Sequence, residues 1–149
     1  MPVVALVTWV VTAGLGFFML ATWVRAGGVR VGAASASSSG AAAPTGHPSG
    51  TRFPPPLVFG HFLLAATGLV LWIVYLATDS QVLAWVAFVI LLVVAGAGDV
   101  LFLRWYRDRG RSAAELPEQG IPTPVVYLHG LFAVVTIVLV LLSALEVGE

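Results

Sequence analysis

Four long apolar stretches, each bounded by polar or proline-rich sequence, set the outline of the chain. They run over residues 3–24, 57–77, 82–103 and 124–145. A helix needs about 20 predominantly apolar residues to cross a bilayer, and each stretch meets that length. The pattern predicts an all-α membrane protein, a four-helix transmembrane bundle. Spans two and three are joined by only Thr78-Asp79-Ser80-Gln81, which predicts a tight hairpin. Residues 26–55 are rich in Gly, Ala, Ser and Pro and read as a flexible cytoplasmic linker. Residues 104–123 are charged and can extend the third helix by a turn or two.

Charge then orients the spans. Arg25, Arg30 and Arg52 lie in the first connection, and Arg104, Arg107, Arg109 and Arg111 in the third. The termini and the second connection carry Asp79, Glu146 and Glu149 and no arginine. The positive-inside rule places connections one and three in the cytoplasm and both termini outside, N-out/C-out, in a multi-pass protein of the bacterial cytoplasmic membrane. The chain starts Met-Pro-Val-Val-Ala, with no basic segment ahead of its first apolar run. The small residues near Ala34 resemble a cleavage site, but the repeat described next argues against removal of the first span.

Spans one and three share a frame. Gly14-Leu-Gly16 is followed, after six intervening residues, by Trp23-Val-Arg25, and Gly96-Ala-Gly98 likewise by Trp105-Tyr-Arg107. Spans two and four share another. His61 follows Pro56 by five residues and precedes Ala65 by four; His129 stands in the same relation to Pro124 and Ala133. Trp9 and Trp85 each open a Trp-Val pair and are matched on that basis. The chain therefore reads as two parallel helical-hairpin repeats, related by a pseudo-two-fold axis along the membrane normal. Both histidines fall one to two turns inside the cytoplasmic edge.

Helical spacing predicts which way they face. His61 shares a stripe with Ala65, Gly68 and Trp72, and His129 with Ala133, Thr136, Val140 and Ser143. Small and weakly polar residues belong at helix interfaces in membranes, so both histidines are expected to point into the bundle. An ionisable side chain at membrane depth is costly and marks a functional site by default.

Composition narrows the chemistry. The chain has 149 residues, 59% hydrophobic and 9% charged, against about 25% charged in soluble domains. Having no cysteine, it forms no disulfide, thiolate metal site or iron–sulfur cluster. All seven basic residues are arginine and the formal net charge is zero, so nothing points to nucleic acid as a partner.

Two histidines on facing helices suit the axial positions of haem b. Gly14, Gly16, Gly96, Gly98, Ala65, Gly68 and Ala133 are the small residues expected to make room for it. Arg25, Arg52, Arg104 and Arg107 are the cations expected near its propionates. On these residues the chain resembles the four-helix haem bundles of membrane b-type cytochromes. It is similar, too, to small uncharacterised four-span membrane proteins of actinobacteria. The first likeness implies His61 and His129 as iron ligands, close packing at Gly14, Gly16, Gly96 and Gly98, and electron transfer with quinone or a redox partner. A homodimer or partner would be needed to carry electrons across the whole bilayer. The chain departs from two-haem, four-histidine members in having one histidine pair in its spans.

Two other readings stand beside this one. Asp99, five residues before Arg104, lies close in depth to the histidines. It is a candidate proton site or metal partner with His61 and His129, an acceptor for the Nδ1–H of one ligand histidine, or an interfacial partner of an arginine. The alternative without chemistry is an accessory or scaffold subunit in which proline, glycine and histidine serve packing alone. Trp9, Trp23, Trp85 and Trp105 lie near span ends and are expected in the interfacial belt, with Trp72 and Tyr75 approaching the outer face. His47 belongs to the linker.

Overall fold

The computed structural model describes residues 1–29, 51–109 and 116–145. These form α1 (Pro2–Arg25), α2 (Pro55–Thr78), α3 (Gln81–Asp108), a 3₁₀ turn (Pro117–Gly120) and α4 (Thr123–Ala144). The four α-helices have 24, 24, 28 and 22 residues and are long and apolar enough to span a bilayer. At 1.5 Å per residue, even the shortest exceeds the roughly 30 Å hydrocarbon core. The protein is an all-α, four-helix integral membrane protein. The linker over 30–50 and His47 lie outside the described residues.

Local sequence sets the helix ends. Proline occupies the first turn of α1, α2 and α4, where its missing N–H costs nothing. Asp79 ends α2 in the left-handed region at φ 50°, donating its N–H to the Tyr75 carbonyl at 2.8 Å. Ser80 then leads directly into α3, making the expected hairpin. The third helix runs to Asp108, past the apolar stretch and through Arg104 and Arg107.

The helices are arranged in ring order. Contacts are most extensive between α1 and α4 and between α2 and α3, with smaller interfaces from α1 to α2 and α3 to α4. The diagonals α1–α3 and α2–α4 thus face each other across the axis. At the end bearing Pro2 and Ala144, the core holds Ala5, Trp9, Trp72, Tyr75, Ala84, Ala87, Leu91 and Val140. Trp72 Nε1 donates to the Pro2 carbonyl at 3.2 Å, and Gln81 Nε2 to that of Ala144, stitching neighbouring helices there. At the arginine-bearing end, Trp23, Phe53, Trp105 and Ile121 form a second core.

The duplication is visible in the packing. An offset of 82 residues relates Trp23 to Trp105 and Ala5 to Ala87; an offset of 68 relates Phe53 to Ile121 and His61 to His129. Pro54 and Pro122, equivalent under the second offset, cap α2 and α4 at φ/ψ of −63°/119° and −62°/126°. The same register pairs Trp9 with Leu91, which corrects the Trp9–Trp85 match. The tryptophan belt also needs correcting. Trp9, Trp23 and Trp105 are buried, as are Trp72 and Tyr75, while Trp85 is 40% exposed. Their rings fill the cores at the two ends of the bundle.

Candidate functional site

His61 lies six residues into α2 and His129 six residues into α4, about 9 Å from each helix start. Their stripes face inward as the spacing predicts. Gly68, Trp72, Thr136, Val140 and Ser143 are buried, and Ala65 and Ala133 are half-buried, as are the histidines themselves. Because α2 and α4 are diagonal, the two rings meet across the axis with centroids 6.3 Å apart and planes inclined at 61°.

Each ring is held by a neighbouring helix in the same way. His61 Nδ1 is 3.0 Å from the Val94 carbonyl oxygen on α3. His129 Nδ1 is 3.0 Å from the Thr12 carbonyl oxygen on α1. A carbonyl only accepts, so the proton resides on Nδ1 and Nε2 keeps a free lone pair. Val94 and Thr12 are equivalents under the 82-residue offset. One turn further along the same helices lie Gly98 and Gly16. A Cβ on Gly98 would stand 3.2 Å from His61 Cε1, and one on Gly16 3.0 Å from His129 Cε1. Glycine at these positions lets each imidazole lie flat against the helix backbone and reach its carbonyl. Beyond His129, the Thr12 and Thr136 hydroxyls meet at 3.4 Å.

The remaining candidates divide. Gly14 and Gly96, two residues and some 200° from their partners, lie on the outer surface, where a Cβ would meet nothing within 4 Å. They give the histidines no room. Asp99 is not a partner of either ring: both Nδ1 atoms are engaged by carbonyls, and Asp99 is exposed. It follows Gly98 by one residue, hence by about 100° around α3, which turns it out of the bundle. Nor does it join the ion pair found among the described residues, Arg52 with Asp108. Arg25, Arg104 and Arg107 are exposed at the histidine end, and Arg104 Nη1 donates to the Arg52 carbonyl at 3.2 Å. No group of three or more metal-binding side chains occurs among the described residues.

Sequence reasoning missed the polar strap that closes this end. Glu118 in the 3₁₀ turn is fully buried. Its carboxylate accepts from the Thr51 hydroxyl at 3.0 Å and the Arg52 N–H at 2.7 Å. Thr51 in turn accepts from Trp23 Nε1 at 3.0 Å, and Arg52 Nη1 meets Asp108 at 2.5 Å. The strap ties both connections over the helix ends, next to Phe53 and Ile121. The shared Phe-Pro and Ile-Pro pairs, 68 residues apart, were the available signal for where the connections dock.

No protein-family model, curated protein or solved structure matches the chain.

Proposed function

We propose that this integral membrane protein is a single-haem b-type cytochrome, an electron carrier of the bacterial cytoplasmic membrane in which His61 and His129 would hold the haem iron near the cytoplasmic face. The facing histidine pair carries the reading. Metal–imidazole bonds are about 2.0–2.1 Å long, so two imidazoles sharing one metal would have ring centres at most a little over about 6 Å apart. The observed separation is 6.3 Å. The Nδ1–H···O=C bonds leave Nε2 as the ligating atom, fix ring orientation and raise ligand basicity.

This donor set supports the reading; haem b, when bound, would supply one-electron chemistry. The chain's own residues do the rest. Val94 and Thr12 hold the imidazole protons, Gly16 and Gly98 admit the rings, and the apolar cores on either side exclude water. Arg25 and Arg107 are exposed at the same end and available to propionate carboxylates. Redox exchange would take place with quinone or a protein partner.

The test is haem stoichiometry. Protein purified from haem-supplied cells should contain one b haem per chain by the pyridine haemochrome assay. A folded, colourless protein would instead support the scaffold reading.

A further inference from the structure

The two repeats differ in charge where α1 and α3 reach the arginine-bearing end. Arg104, Arg107, Asp108 and Arg109 close α3, and the 82-residue offset matches them with Thr22, Arg25, Ala26 and Gly27. At these positions the second half carries two more arginines than the first, against one acid. That acid is already taken, because Asp108 is buried and paired with Arg52. Arg109 turns over the Trp105 ring, 4.6 Å from its centroid. Arg104 and Arg107 remain, both exposed and without a carboxylate among the described residues. Three residues apart on one helix, they are surface neighbours. Arg104 is also held in place. Its Nη1 donates to the Arg52 carbonyl at 3.2 Å, and the Arg52 N–H donates to Glu118. The strap thus anchors one edge of the guanidinium and leaves its other N–H groups for a ligand.

Below the pair runs an apolar lane. Val93, Ala97, Val100, Arg104 and Arg107 keep the i, i+4, i+7, i+11, i+14 spacing of one helix face. Val93 and Val100 are 56% and 42% exposed, and Ala97 is half-buried. From Val93 to Arg104 the helix rises about 16 Å, close to the roughly 15 Å depth of one leaflet. On α1 the same lane reads Val11, Leu15, Phe18, Thr22 and Arg25. It has one cation, and the Thr22 hydroxyl is spent on the Phe18 carbonyl of its own helix at 2.9 Å. We infer that Arg104 and Arg107 hold the headgroup of an anionic phospholipid, one acyl chain of which lies along Val100, Ala97 and Val93. Guanidinium groups bind phosphate oxygens through paired N–H donors. Two arginines without acid partners favour a headgroup of net negative charge over a zwitterionic one. A lipid seated on Arg104 is tied through the Arg52 carbonyl to the strap. Its binding therefore steadies the closure over the histidine end. Nothing in this inference depends on haem.

The test uses the full chain in detergent without supplied haem, so that no propionate competes for Arg107. It is titrated with dioleoyl phosphatidylglycerol or dioleoyl phosphatidylcholine, and bound lipid is counted by native mass spectrometry. The parent should retain one phosphatidylglycerol in clear preference to phosphatidylcholine. R104Q/R107Q should weaken that binding about thirtyfold, near fivefold for each charge at the surface. R25Q, which removes the single arginine of the α1 lane, should leave it unchanged. R104K/R107K keeps the charge that orients the helix and loses the paired donors, so it should fold and still bind more weakly than the parent. A phosphatidylglycerol with a diazirine in its acyl chain should label residues 93–100 in preference to 11–18. Equal affinity for the two lipids, parent-like binding by R104K/R107K, or equal labelling of both lanes overturns the site. So does displacement of the lipid by inorganic phosphate at the same concentration, because the arginines would then hold a soluble anion.

Discussion

Each Gly-x-Gly pair contains one glycine in tight contact and one in the open, which makes a matched experiment. In Gly16→Ala the new methyl would lie 3.0 Å from His129 Cε1. That is about 0.5 Å inside the ordinary carbon–carbon contact of 3.5–4.0 Å. Relief requires the imidazole to retreat from the Thr12 carbonyl, stretching a 3.0 Å hydrogen bond towards its limit. Overpacking costs about 1–3 kcal/mol and the weakened bond about 1 kcal/mol. Alanine's better helix propensity returns about 1 kcal/mol. The net expectation is a loss of about 1–3 kcal/mol, with Gly98→Ala somewhat milder because its contact is 3.2 Å. Gly14→Ala and Gly96→Ala meet nothing and should be neutral or stabilising by up to about 1 kcal/mol. Equilibrium unfolding of the four variants in one detergent, followed by tryptophan fluorescence, measures the difference. Equal effects at Gly14 and Gly16 would refute the idea that glycine is required by the histidine rings.

Three further outcomes follow from the strap and the bundle interior. Glu118→Ala removes a buried carboxylate that accepts from two part-buried donors and should cost about 1–3 kcal/mol, read by chemical unfolding; an unchanged midpoint would show that the strap contributes nothing. Gly28→Ala drives a methyl into the buried Trp23 ring, so Trp23 must move and its near-ultraviolet circular dichroism should change, whereas an unaltered spectrum contradicts the packing. Thr136→Val keeps shape and loses a 2.7 Å bond to the Phe132 carbonyl of its own helix together with the long contact to Thr12, so its thermal midpoint should fall slightly, by about 0.6 kcal/mol of stability; a loss several times larger would mean the hydroxyl serves the histidine site directly.

Much of this architecture is legible in the sequence, because membrane spans and helical stripes obey simple periods. The stripes from His61 to Trp72 and from His129 to Ser143 are buried as spacing requires, and the hairpin at Asp79 lies where four polar residues interrupt the apolar pattern. Residue counting gives depth but not direction. Asp99 shares the histidines' level, yet one residue's rotation from Gly98 turns it away from them. The same rotation separates Gly14 from Gly16, although both belong to one motif. The tryptophans mislead for another reason. An aromatic near a span end suits an interface equally well as a core plug, and only the packing of Trp9 on Trp72, 6.3 Å between centroids, decides between them. The strap was hidden because Thr51, Arg52, Asp108 and Glu118 are far apart in sequence and have no periodicity to reveal them.

The central claim is that His61 and His129 ligate one haem. The most direct test is the reduced-minus-oxidised visible spectrum of the purified, haem-supplied protein beside His61→Ala and His129→Ala, with folding checked by circular dichroism. The account predicts a sharp b-type band pair in the parent and its loss in each single variant while the helices remain. A parent without absorbance, or bands that survive removal of either histidine, would contradict it.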